Sequence, residues 1–185
     1  FSELPILFYL AFAVLAAWGG LMALRGDFWR ADQRIVEGAF EPAKSPGVAV
    51  VVPARDEADV IGRALSSIAA QEYAGRVSVC VVDDRSADGT AEIAAGIDGV
   101  TLVAGTETPP GWTGKMWAVE QGVGAALKID PEAEFIWLTD ADIEHHPGEL
   151  ASLVASAESD DLDVSSRVVV LRIDTAWGCL LGRAF

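Results

Sequence analysis

Hydrophobic and polar positions follow two different rules along this chain. From Leu4 to Leu24 the run LPILFYLAFAVLAAWGGLMAL contains no charged residue at all. A membrane-spanning helix needs about 20 consecutive apolar residues, so the run predicts a transmembrane helix over 4–24. A secretory signal would set positive charge ahead of a shorter apolar core. Here Glu3 precedes the run, and Arg25, Arg30 and Arg34 follow it. By the positive-inside rule this order makes the run a single-pass anchor in an inner or plasma membrane, with the remaining chain cytoplasmic. The alternative for the same run is a buried core helix of a soluble domain. Residues 25–46 then read as a juxtamembrane segment and a linker, the latter carrying Pro42 and Pro46.

From residue 47 onward, strand-like and helix-like patterns alternate. GVAVVVP over 47–53 is a continuous run of mostly β-branched residues, the pattern of a strand buried on both faces. Val60, Ile61, Ala64, Leu65 and Ile68 then recur at helical spacing, with Asp56 or Asp59 as the cap. VSVCVV over 77–82 predicts a second strand, 90–95 a short helix, 100–103 a third strand and 115–128 a helix. FIWL over 135–138 is a fourth strand. Pro147 suits the first position of a helix reaching about Glu158, and 164–173 reads as a fifth strand. Such alternation predicts an α/β fold with a Rossmann-like, mostly parallel sheet and flanking helices over 47–185. In sheets of this kind ligands bind beyond the carboxyl ends of the strands. Arg55, Asp56 and Glu57 follow the first strand, Asp83 and Asp84 the second, and Asp140 and Asp142 the fourth. Three acidic groups are thus expected on one edge.

Composition sharpens this picture. The 185 residues are 51% hydrophobic and 22% charged, with a formal net charge of −15. A nucleic-acid surface needs clustered Lys and Arg, so that partner is excluded. A nucleotide diphosphate is not, provided that a metal ion or a placed Lys offsets the carboxylates beside it. Cys80 and Cys179 have neither zinc-site spacing nor the pattern of a disulfide framework.

Three segments carry candidate chemistry. In LTDADI, 138–143, two carboxylates one residue apart follow a buried strand and can share a hard cation such as Mg²⁺ or Mn²⁺. The same residues also read as a polar Asx-turn before a helix. In VVDDRSADGT, 81–90, Ser86 or Asp88 reads as a helix cap, whereas Asp84 stands at the strand mouth, where a carboxylate can accept hydrogen bonds from a base ring. In GWTGKMWAVEQG, 111–122, Lys115 stands at a helix start, where ammonium and helix N-terminus can together meet a phosphate. It also reads as an exposed helix Lys, and the spacing is not that of a P-loop.

Taken in order, VVVPARDE, VVDDRSADGT, GWTGKMWA and TDAD make the stretch 48–154 resemble the family 2 glycosyltransferases. PPGWTGKMWAV and TDADIEHHPGEL are most similar to the hopene-associated glycosyltransferase group. The resemblance implies a GT-A fold, a nucleotide-sugar donor of the UDP-sugar type, a divalent metal (Mn or Mg) and inverting transfer. It implies that Pro53 and Glu57 border the base, that Asp84 holds the base ring and that Lys115 lies near the diphosphate. Asp140 would face the ribose or a metal-bound water, and Asp142 would ligate the metal. His145 and His146 are expected in a solvated turn before the next helix. The family's general base is a carboxylate in a later acidic motif, which nothing between Glu144 and Phe185 matches. Asp160, Asp161, Asp163 and Asp174 read as a helix-end loop and a strand edge. The base is therefore expected beyond Phe185, with 47–185 a partial, C-terminally truncated GT-A domain. The anchor and the hopene-type resemblance together point to a lipid acceptor. A membrane-anchored nucleotide-binding or partner-binding domain without turnover is the alternative. A receiver domain would carry its acidic pair on the first strand, and a nucleotidylyltransferase would need a Gly-rich loop where ARDEAD stands.

Overall fold

The computed structural model describes residues 4–24 and 44–167, which fall into two units, α1 in one and 44–167 in the other. The helix α1, Leu4–Leu24, is 21 residues long. Its described side chains are exposed on every side, among them Leu7, Phe8, Leu15 and Trp18. Among the described residues no helix is long and apolar enough to cross a membrane.

The second unit contains β1 (Val48–Ala54), α2 (Ile61–Ala69), β2 (Val77–Asp83), α3 (Thr90–Ala95), β3 (Val100–Ala104), α4 (Gly114–Ile129), β4 (Phe135–Leu138) and α5 (Glu149–Ser159). The strands form one parallel sheet in the order β3-β2-β1-β4. β1 is central and buried on both sides, which is why its sequence lacks alternation. Val48, Val50 and Val52 pack into a cluster with Ile61, Leu65 and Ile68 of α2 and Leu150 and Val154 of α5. Ala49 and Val51 face the other way, joining Cys80, Val82 and the α4 residues Ala118 and Ala126. Gly122 lets α4 lie close on this face. A Cβ there would collide with Val51 and stand 2.9 Å from Val82 Cγ2. The chain steps outward from β1 to β3, then returns through α4 to β4 on the far side of β1. The loops after β1 and β4 thus part at a topological switch point, where such sheets open a crevice.

Several local expectations are corrected. Residues 164–167 are not strand, and 168–173 lie outside the described residues, so the predicted fifth strand has no described counterpart. Val60 holds the cap position of α2 without any side-chain cap, because Asp56 is turned to another loop. Pro147 lies in a turn ahead of α5, where its carbonyl accepts from the Glu72 amide at 2.7 Å.

Candidate functional site

Two loops at the carboxyl edge are stitched together by side chains. The Asp56 amide donates to Ser86 Oγ at 3.0 Å, and the Ala87 amide donates back to Asp56 Oδ1 at 2.8 Å. The Glu57 amide donates to Thr90 Oγ1 at 2.8 Å and the Ala58 amide to Asp88 Oδ2 at 3.0 Å. Asp88 Oδ1 accepts from the Thr90 amide at 3.0 Å and from its hydroxyl. These bonds, the Thr90 hydroxyl first and the Ala58 amide next, hold the Asp88 carboxyl below its ordinary pKa. Ser86 and Asp88 therefore join the loops after β1 and β2, rather than serving only the start of α3. Asp56 and Arg85, one on each loop, adopt left-handed backbone with φ of 54° and 58°. Such geometry persists in non-glycine residues where surrounding bonds over-determine it.

Asp84 is 4% exposed at the mouth of β2. Arg55 Nη1 stands 3.3 Å from its Oδ2, and Arg85 Nε 3.6 Å from its Oδ1. A buried carboxylate needs such partners, and neither arginine was expected from the sequence. Gly114 faces the same oxygen closely enough that a Cβ would stand 3.0 Å from Asp84 Oδ2. The next residue, Lys115, places Nζ 2.8 Å from Asp140 Oδ2. The first turn of α4 thus bridges Asp84 after β2 and Asp140 after β4. Pro53 lies half-buried inside β1, level with Val82 of β2.

Glu57 feels carboxylates from the loops after β1, β2 and β4. Its pKa is raised above the ordinary 4.5, first by partial burial and then by Asp142, Asp88, Asp140 and Asp56. Asp142 is exposed. Glu57, Asp140 and Asp142 therefore share one negative field, with Lys115 as the cation placed in it. Among the described residues no three His, Cys, Asp or Glu side chains are grouped to hold a metal by themselves. Hard carboxylate oxygens that leave most of the shell to water and phosphate fit Mg²⁺ or Mn²⁺, which bind through one or two carboxylates plus substrate phosphates. Two open concavities of the described surface are lined by neither Lys115 nor Asp140. One is beside α2 at Asp59, Arg63, Ser66 and Glu144, the other at Arg76, Asp130 and Glu132. Both are shallow, and charge and strand topology locate the site better than depth.

The segment after the aspartates departs from expectation. His145 is 7% exposed rather than solvated, while His146 is exposed as expected. The ring of His145 meets Thr139 Oγ1 through Nε2 at 2.8 Å and Glu149 Oε2 through Nδ1 at 2.9 Å, and packs edge-on against Trp137. The bond from His145, ahead of all other causes, lowers the pKa of Glu149. Ser67 and Gln71 of α2 complete the support. Ser67 Oγ accepts from the His145 amide, and Gln71 bonds the His146 carbonyl and the Leu150 amide. The spacing of His145 and Glu149, four apart, was the available signal. From the first turn of α4, Trp117 Nε1 donates to Thr106 Oγ1 and its ring meets Trp112 edge-on, tying the preceding loop to the turn that carries Lys115.

Comparisons with known proteins agree with this geometry. The family model described as Glycosyl transferase family 2 matches residues 49–178. The structure is similar to mannosyltransferase PcManGT from Pyrobaculum calidifontis, solved with GDP-Man and Mn²⁺. The identity is 29% and the TM-score 0.58, covering 80% of this chain and 43% of that one. It is also similar to S. aureus TarS 1-349, at 25% identity and TM-score 0.50, over 68% of this chain and 38% of that one. The UDP complex of that protein, at 24% identity and TM-score 0.50, shares the fold over the same fractions. The chain thus spans less than half the length of these structures. No curated protein matches in sequence. The parallel sheet with flanking helices is GT-A like, and with a family match running from β1 past α5, the chain belongs to glycosyl transferase family 2.

Proposed function

We propose that the chain forms the donor-binding part of a glycosyltransferase that moves a sugar, with inversion, from a nucleotide-sugar to an acceptor. One observation carries the reading: the first turn of α4 touches Asp84 through Gly114 and Asp140 through Lys115, across the switch point of the sheet. A nucleotide laid along that turn has a carboxylate for its base at one end and a cation for its diphosphate at the other. Glu57 and Pro53 border the base, and Asp84 accepts from the base ring. Lys115 turns from Asp140 to the diphosphate, which leaves Asp140 to the ribose or to a metal-bound water. Asp142 would hold Mn²⁺ or Mg²⁺ together with water and phosphate oxygens. The ion, when bound, supplies Lewis-acid neutralisation of the departing diphosphate.

The donor is proposed to be a UDP-sugar. The general base is assigned beyond Phe185, in the acidic motif that 144–185 lacks. The hopene-associated subgroup rests on PPGWTGKMWAV and TDADIEHHPGEL. A single-pass anchor in an inner or plasma membrane, a cytoplasmic catalytic domain and a lipid acceptor rest on the sequence alone, on the uncharged run 4–24 and the arginines after it. Calorimetry with UDP, GDP and uridine, in Mn²⁺ and in EDTA, tests the donor reading. UDP binding that strengthens in Mn²⁺ is expected. The reading fails if neither diphosphate binds or if Mn²⁺ has no effect on binding.

A further inference from the structure

We propose that His145 is a positioning residue of the donor site, its Nε2 fixing, through Thr139, where Asp140 and Asp142 stand. The proposal rests on the roles just given to those aspartates. Thr139 and His145 are the two roots of the turn that carries them, each 7% exposed. Their side chains meet at 2.8 Å, so one bond closes the turn 140–144 at its base. Each root is in turn anchored to a different part of the unit. The Thr139 amide donates to the Val51 carbonyl of β1 at 3.2 Å, and the His145 amide to Ser67 Oγ of α2 at 2.9 Å.

The ring is held at both nitrogens. A carboxylate only accepts, so Glu149 Oε2, 2.9 Å from Nδ1, puts a proton on that nitrogen. With that proton alone on the ring, Nε2 would accept from the Thr139 hydroxyl. Trp137, its ring centroid 4.6 Å away, blocks the ring from sliding. With both nitrogens engaged, His145 is no ligand for an ion. It acts on the aspartates through the closed base of their turn, as groups behind metal ligands commonly do.

Three variants of the full chain test this. His145→Gln reaches the position of Nε2, His145→Asn that of Nδ1, and His145→Phe keeps only a ring. In calorimetry, the Asn and Phe variants are expected to weaken Mn²⁺-dependent UDP binding by about tenfold or more, and the Gln variant by no more than about threefold. Uridine binding stays at the parent level in all three. Equal losses in the Gln and Asn variants, or uridine weakening alongside UDP, overturn the proposal. Amide exchange without nucleotide gives a second readout, expected to quicken over 140–144 in the Asn and Phe variants but not in Gln, with β1 and β2 unchanged. Exchange over 140–144 that no variant alters also overturns it. That readout holds even if the parent shows no Mn²⁺ effect, a result that counts against the proposed function alone. The Asn and Gln pair decides should the Phe variant not fold.

Discussion

The two ends of the same sheet treat charge in opposite ways. At the amino end, Arg76 grips Asp130 with two bonds, Nε to Oδ2 at 2.9 Å and Nη2 to Oδ1 at 2.6 Å, with Glu132 nearby. The fork satisfies both partners, raising the pKa of Arg76 and lowering that of Asp130. At the carboxyl end, Glu57, Asp140 and Asp142 lie within one field, and the exposed pair of Lys115 and Asp140 is the contact that answers it. An exposed ion pair of this kind contributes about 0–1 kcal/mol. At the carboxyl end only Asp84, held by Arg55 and Arg85, is closed in that way, and the excess beside it is the charge that the proposed metal and diphosphate would balance.

The largest effect expected from that contrast is at Asp142. Asp142→Asn should abolish the Mn²⁺-dependent part of UDP binding, since an amide is a far poorer ligand for a hard cation. Parent-like UDP binding by this variant in Mn²⁺ would return the acidic turn to a solvated loop. Next comes Asp84→Ala, which leaves the proposed base without an acceptor and Arg55 and Arg85 without their carboxylate. Affinity for UDP and uridine alike should fall by about 1–3 kcal/mol in calorimetry, with or without metal. Lys115→Ala should weaken UDP binding by about 1 kcal/mol and leave uridine unchanged, because its proposed contact is with phosphate. Arg76→Ala should do the reverse, lowering the melting temperature while UDP affinity holds.

The smallest effect is a pH signature that separates the two ends. Asp130 has a folded-state pKa below its ordinary 3.8, so its contribution is complete above 3.8 and is lost as pH falls through the depressed value. Glu57 has the opposite sign. Its pKa lies above 4.5, so its ionisation opposes folding at neutral pH. That opposition fades as pH falls through the raised value and is gone below 4.5. Glu57→Gln should therefore melt slightly higher than the parent at pH 7, the difference vanishing below 4.5. A constant difference across that window would show that Glu57 does not feel the aspartates.

The strands were legible because β1 and β2 bury both faces and so write continuous apolar runs into the sequence. The switch point followed from where the acidic residues fall after β1, β2 and β4. Less legible was everything that depends on one loop reaching another. Ser86 and Asp88 look like local caps, yet they satisfy amides 30 residues away in the chain. Arg55 looks like a surface charge, yet it answers a buried Asp84. His145 looks like loop polarity next to an exposed His146, and only the fold shows that Trp137 and Thr139 enclose it. Over 164–167 the chain is not strand, and the apolar residues that follow lie outside the described residues.

Gly122 makes α4 a beam whose height above the sheet is set by a missing methyl group. Lys115 lies two turns before it on the same helix, about 10 Å along the axis. Val51 and Val82, which a Cβ at 122 would strike, are β-branched and have little rotamer freedom to yield. Any larger residue at 122 must therefore lift or tilt the beam, and the far end travels with it. A change in the hydrophobic interior, touching no charged group, would thus be read at the rim as a displaced Lys115 and a Gly114 no longer seated over Asp84. Selection for binding at this rim would reach down through the helix to a residue that no ligand ever meets.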